Sequence, residues 1–189
     1  MDSIIGVVLA GGESSRMGLD KAELPHPLNE KQTLLDHAME ILINCGCRKV
    51  VISGEKWDGI ADQFNDKGPL AGIFSVSDAI AEEYFLFVPV DMPLLDPYLL
   101  QELVSAAEIG ESVYFEETRL PALIRVNDQV KSYLSRVLSF DAEDRSMFTF
   151  YQAIGALPIA CSQPEKLVNV NTPEDFQHLQ VQQPLELDH

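Results

Sequence analysis

The sequence predicts an α/β fold of three layers, an open and mostly parallel sheet with helices on both faces. Three observations predict it. Short, nearly continuous apolar runs alternate with segments whose apolar residues recur at helical spacing. The breaks between them are short, and glycines or an acid stand where the apolar runs end. Runs apolar throughout read as strands buried on both faces, and their alternation with amphipathic helices builds a parallel sheet.

Ile4 to Ala10 is the first such strand. Leu34, Leu35, Ala38, Ile41, Leu42 and Cys45 recur at helical spacing, so Thr33 to about Cys45 reads as an amphipathic helix stopped by Gly46. Lys49 to Ile52 is a second strand, and Leu70, Ile73, Phe74, Ser77, Ile80 and Ala81 form another helical stripe. Tyr84 to Val90 is a third buried strand ending at Asp91. Asp96-Pro97 reads as a cap with proline at the first helical position, opening a helix to about Ile109. The second half is less regular. Ser112 to Phe115 and Ala122 to Val126 read as strands antiparallel to the others, and Val130, Leu134, Val137 and Leu138 as a helix. Ile154 to Ala160, interrupted by Gly155 and Pro158, reads as an edge strand. Thr172-Pro173-Glu174-Asp175 is a helix start with acids on the positive end of the dipole. Residues 1–180 form one expected domain, with 181–189 a loose tail.

Composition narrows the function classes. The chain has 189 residues, of which 46% are hydrophobic, which suits one globular core. No apolar stretch approaches the roughly 18–20 residues of a membrane span, and Met1-Asp2-Ser3 lacks the basic start of a signal peptide. Three cysteines make no disulfide framework, and Cys45 and Cys47 read as reduced packing residues at a helix end. The expected location is the cytoplasm. With 13 basic against 30 acidic residues the net charge is −17, a field that repels nucleic acid and anionic membrane. It also repels a triphosphate, so a nucleotide site here must gather its cations locally or borrow a metal ion.

Leu9-Ala10-Gly11-Gly12 followed by Glu13-Ser14-Ser15-Arg16-Met17-Gly18-Leu19-Asp20-Lys21 is such a site. Glycines after a strand let the backbone approach a ligand and leave N–H groups for phosphate oxygens. Arg16 and Lys21 add positive charge on the same loop. The string matches neither Gly-x4-Gly-Lys-Ser/Thr nor Gly-x-Gly-x-x-Gly. Asp91 follows the third buried strand, which sends its carboxylate to the rim of the sheet where ligands of such folds bind. Mg²⁺ takes oxygen ligands and keeps several waters, so one carboxylate plus substrate phosphates suffices to hold it.

The glycine loop with Arg16, Gly18 and Lys21 resembles the signature of the MobA-type nucleotidyltransferases, the relatives of molybdenum cofactor guanylyltransferase. Three further segments extend the resemblance in order over almost the whole chain. These are Gly68-Pro69-Leu70-Ala71-Gly72, Val90-Asp91-Met92-Pro93 and Asn169-Val170-Asn171-Thr172-Pro173. The resemblance implies a three-layer, Rossmann-like sheet of the nucleotide-diphospho-sugar transferase type. It implies Arg16, Lys21 and Asp91 as catalytic residues, with Mg²⁺ on Asp91. It implies a nucleotide held by Leu9, Ala10, Gly11, Gly12, Lys21, Ser53, Asp62, Gly68 and Asp91. Ser53 stands where the family often has an asparagine, and Asp66 competes with Asp62 for the guanine contact. Asn169 and Asn171 fall near the ion and, with Arg119 and Arg145, on the acceptor side. The doubled glycine favours guanine, since CTP-using relatives tend to have Leu-Ala-Ala-Gly. The implied reaction is transfer of GMP from GTP to the phosphate of molybdenum-bearing molybdopterin, with transient contact to enzymes that make or receive the cofactor. Two other classes stay open on sequence alone: cytidylyl or other nucleotidyl transfer to a different phosphate acceptor, and GTP binding without turnover. His26 and His37 read as surface or packing residues, and His178 and His189 fall in the last helix and the tail.

Overall fold

A computed structural model describes residues 3–10, 20–107, 111–140 and 144–182. Six strands form the main sheet: β1 (Ile4–Leu9), β4 (Lys49–Ser53), β5 (Tyr84–Pro89), β6 (Val113–Phe115), β7 (Ala122–Arg125) and β8 (Leu157–Ile159), in the order β4-β1-β5-β7-β6-β8. A small hairpin of β2 (Pro25–His26) and β3 (Asn29–Thr33) stands apart. The helices are α1 (Leu34–Asn44), α2 (Pro69–Ala79), α3 (Pro97–Ala106), α4 (Asp128–Ser139), α5 (Met147–Ile154) and α6 (Pro173–Gln182).

β1 pairs in parallel with β4 on one side and β5 on the other. β7 is antiparallel to both β5 and β6, and β6 is parallel to β8. The sequence reading made both β6 and β7 antiparallel; only β7 is reversed. β6 is reached from α3 on one side and enters β7 by a short connection on the other, so it regains the direction of β1.

Side chains alternate across β1 and divide the core in two. Val8 joins Leu35, Ala38 and Leu42 of α1 and Leu99 and Leu103 of α3 on one face. Ile5 and Val7 join Leu70 and Ile73 of α2, Leu134 of α4 and Phe150 of α5 on the other. Gly6 lets α1 lie close to β1, because a Cβ there would stand 3.1 Å from Leu42. Thr33 caps α1 in a capping box with Asp36, and Asp96 caps α3 by accepting from the amides of Tyr98 and Leu99.

Two elements escaped the periodicity. β3 reads Asn-Glu-Lys-Gln-Thr, with no buried residue to alternate. α5 is eight residues rich in Phe, Tyr and Thr, a composition that favours strands; its C-cap, Gly155, is left-handed at φ 69°. The expected strand from Ile154 therefore shrinks to Leu157–Ile159, an edge where Pro158 is tolerated. Cys45 and Cys47 are half-buried free thiols, pushed up by burial to about 11 and about 12, and pack against the α1 face as expected. No helix among the described residues is long and apolar enough to cross a membrane.

Candidate active site

The parallel strands β1, β4 and β5 all end on one rim, and a cleft of about 440 Å³ opens there. Its floor is Leu9 and Ala10 of the β1 end, Ser53 of β4 and Pro89 to Asp91 of β5. Gly68, Pro69 and Gly72 at the start of α2 form one wall; Thr118, Arg119 and Leu120, just ahead of the reversed β7, form the opposite one. Reversal of β7 is what brings its leading residues to this rim.

A polar cluster closes one end. Lys21 Nζ donates to Asp91 Oδ2 at 2.9 Å and to Asn171 Oδ1 at 2.8 Å. Asn169 Nδ2 donates to the other carboxylate oxygen, Asp91 Oδ1, at 2.7 Å. The Lys21 and Asp91 side chains are each 17% exposed, so the pair is shielded yet reachable from the cleft. Three remote segments thus converge, and local structure aims each one. Asp20 caps the short turn Lys21–Glu23 through the amide of Ala22 and also pairs with Lys56 at 2.8 Å. Asp91 follows β5 directly, and its carbonyl accepts from the amide of Val170 at 2.8 Å, which lays the asparagine segment alongside it. Asp175, in the first turn of α6, accepts from the amides of Asn171 and Thr172 and stiffens the far end of that segment.

At the α2 side the Ser53 hydroxyl donates to Asp62 Oδ1 at 3.2 Å. Burial holds the Asp62 carboxyl above its ordinary value, and the Ser53 bond offsets only part of this. Gly68 adopts φ 68° ahead of Pro69, a left-handed conformation that suits glycine, and α2 starts there. Gly72 lies against the sheet: a Cβ there would meet Ser53 Oγ at 2.4 Å.

Of the residues singled out in the sequence, the cleft lining contains Leu9, Ala10, Lys21, Ser53, Asp62, Gly68, Asp91, Arg119 and Asn169, with Asn171 bonded to Lys21. Asp66 lines a neighbouring hollow of about 530 Å³ that Asp62 shares. Arg145 is half-buried just ahead of α5 and does not line the cleft. Gly11, Gly12 and Arg16 lie outside the described residues. Three contributors were missed: Thr118, Asp20 and Lys56. Asp20 had a readable signal, since Asp20-x-x-Glu23 is the spacing that caps a helical turn.

The oxygens that this cluster offers a cation are those of the Asp91 carboxylate and Asn171 Oδ1, while Asn169 turns its Nδ2 to Asp91. Among the described residues no group of three or more His, Cys, Asp or Glu side chains converges. That chemistry fits Mg²⁺, a hard ion that accepts one carboxylate and completes its shell with water and phosphate oxygens.

Comparison with known proteins accords with this geometry. The model of the MobA-like NTP transferase domain matches residues 6–155. The chain is 37% identical to the molybdenum cofactor guanylyltransferase of Xanthomonas euvesicatoria over 92% of its own length and 93% of the relative's. It is 31% identical to that of Histophilus somni, over 94% and 96% of the two chains. Among solved structures, molybdopterin-guanine dinucleotide biosynthesis protein A from Archaeoglobus fulgidus superposes with a TM-score of 0.71 at 18% identity, covering 94% of this chain and 97% of that one, which shows a shared fold. With a family model spanning most of its length and relatives above 30% identity end to end, the chain belongs to the MobA-like NTP transferase family.

Proposed function

We propose that this chain transfers GMP from GTP to the phosphate of molybdenum-bearing molybdopterin, releasing pyrophosphate. The observation that carries the reading is the cluster of Lys21, Asp91, Asn169 and Asn171 at one end of a nucleotide-sized cleft. Relatives named for guanylyl transfer to the molybdenum cofactor support the choice of base and acceptor.

The nucleophile is an oxygen of the acceptor's phosphate monoester, whose second pKa of roughly 6 leaves it largely ionised at neutral pH. It forms a bond to the α-phosphorus of GTP while the bond from that phosphorus to the β-bridging oxygen breaks. No proton has to be removed, and none of the cleft residues is needed as a base. The obstacle is bringing one anion onto another in a protein of net charge −17. Lys21, released from Asp91, would neutralise the triphosphate, and Arg119 on the opposite wall would hold the acceptor phosphate with its planar fork. Asp91 would hold Mg²⁺ with Asn171 and Asn169 beside it; when bound, the ion supplies charge neutralisation to the phosphates. Asp62, oriented by Ser53, would accept from the N1–H and amino group of guanine, a pair of donors that cytosine does not present.

The test is pyrophosphate release by the purified chain with Mg²⁺, molybdenum cofactor and each of GTP, CTP, ATP and UTP in turn. Release with GTP alone is expected. Release with CTP in place of GTP keeps the mechanism and overturns the base; silence with all four overturns the transfer reading.

A further inference from the structure

Two imidazoles lie beneath the segment that carries Asp91, and the reaction above makes no use of them. The segment runs from Asp91 to Asp96 and joins β5 to α3. His26 of β2 places Nε2 2.8 Å from the carbonyl oxygen of Pro93, and His37 of α1 places Nε2 3.0 Å from that of Leu95. The two rings are 4.6 Å apart. His26 is 6% exposed, and its Nδ1 accepts from the amide of Leu28 at 3.2 Å. An Nδ1 that accepts leaves the proton on Nε2, so His26 is a neutral Nε2–H donor to Pro93.

Two separate elements each send a histidine to a carbonyl of one three-residue stretch, and an apolar side chain in either place would leave that carbonyl without its donor. The two ends of the segment are held as well: the Asp91 carbonyl takes the amide of Val170, and the Asp96 carboxylate pairs with Lys166. The backbone leading away from Asp91 is thereby gripped at 91, 93, 95 and 96.

We propose that His26 and His37 are positioning residues: as Nε2–H donors to the Pro93 and Leu95 carbonyls they fix where the Asp91 carboxylate stands against Lys21. The proposal rests on the reading that Asp91 organises nucleotidyl transfer. Burial, and then His26, holds the His37 imidazole below its ordinary pKa, against the upward pull of the Leu95 bond, Glu40 and Asp96.

His37→Gln and His26→Gln keep a donor at the place of Nε2 and cannot be protonated; His37→Leu and His26→Leu have no donor. With GTP and acceptor saturating, the leucine variants should lose about 10-fold in kcat with little change in GTP KM, and the glutamine variants should recover most of it. Leucine variants that keep the wild-type kcat, or glutamine variants that recover none of the loss, overturn the proposal. A second measurement needs no turnover: amide hydrogen exchange at Met92, Leu94 and Leu95 should quicken in the leucine variants while α4 keeps its protection. Unchanged protection there overturns the clamp. An inactive wild type would instead overturn the transfer reading, with the exchange data still deciding the clamp.

Discussion

Lys21 and Asp91 neutralise one another before any ligand arrives, and both side chains are also held by asparagines. Removing either one leaves its partner a remaining amide contact, so the fold should survive while the chemistry does not. Lys21→Ala and Asp91→Ala are each expected to lower kcat about 100-fold or more, the scale of losing one preorganised charge at a transferring phosphoryl group. Circular dichroism should stay native; rates near wild type in either variant would remove that residue from the mechanism. Asp62 presents the opposite balance. Burial raises its carboxyl pKa, so folding disfavours the charged form. That penalty is present above the ordinary carboxylate range and vanishes below it, where folded and unfolded chains are both protonated. Asp62→Asn should therefore raise Tm at neutral pH by about 1–2 °C, with the gain fading toward about pH 4. The same change puts an amide donor before the guanine donors, and GTP KM should rise at least about 10-fold, the effect of one hydrogen bond lost to an unpaired group. A melting curve and a GTP titration on the one variant check both halves. An unchanged KM would take Asp62 out of base recognition.

At the scale of elements, the seat of α2 is the most sensitive contact in the site. Gly72 packs on Ser53 so closely that a Cβ would fall 2.4 Å from Ser53 Oγ and 3.0 Å from Leu9. The hydroxyl can yield only by turning away from Asp62, or α2 can yield by lifting off β1 and β4. Gly72→Ala should therefore cost about 1–3 kcal/mol of stability, the usual toll of overpacking, and weaken GTP binding as well. Chemical denaturation and nucleotide titration read the two effects; an alanine variant of native stability and affinity would show that Ser53 turns freely. The glycine itself was visible as part of Gly68-Pro69-Leu70-Ala71-Gly72, but the reason for it was not, because Ser53 lies 19 residues earlier on another element. The same division runs through the fold. β1 and β5 were legible as short runs apolar throughout, α1 by the helical spacing of its apolar residues, and α3 by its local Asp96-Pro97 start. The β2–β3 hairpin and α5 were not: the first buries almost nothing and the second is a helix built from strand-forming residues. In the site, Lys21, Asp91 and the two asparagines were legible as residue types in order. Their meeting depends on β5 pairing with β1 and on the Val170 amide finding the Asp91 carbonyl, pairings that local pattern does not encode. His26 and His37 were read as surface or packing residues, since nothing near them in sequence announces the carbonyls of Pro93 and Leu95.

For the whole molecule the charge is the property the site must work against. The net charge is −17, whereas the charged side chains among the described residues of the cleft are two cations, Lys21 and Arg119, and two acids, Asp62 and Asp91. A cleft so balanced offers an approaching nucleotide no long-range attraction, so the field it meets at a distance is that of the acidic surface. Such a field is screened beyond about 10 Å at 0.1 M salt, while contacts formed inside the cleft are screened far less. Association with Mg²⁺-bound GTP should therefore quicken as salt rises from about 10 to about 150 mM, by about two- to threefold, with little change in the dissociation rate. This is the reverse of the usual behaviour of a phosphate-binding protein, whose basic surface steers the ligand in and whose association slows with salt. Stopped-flow mixing of a fluorescent GTP analogue over that range measures it directly. A rate that falls with salt would mean that a cationic face large enough to steer the nucleotide surrounds the cleft despite the charge of the chain as a whole.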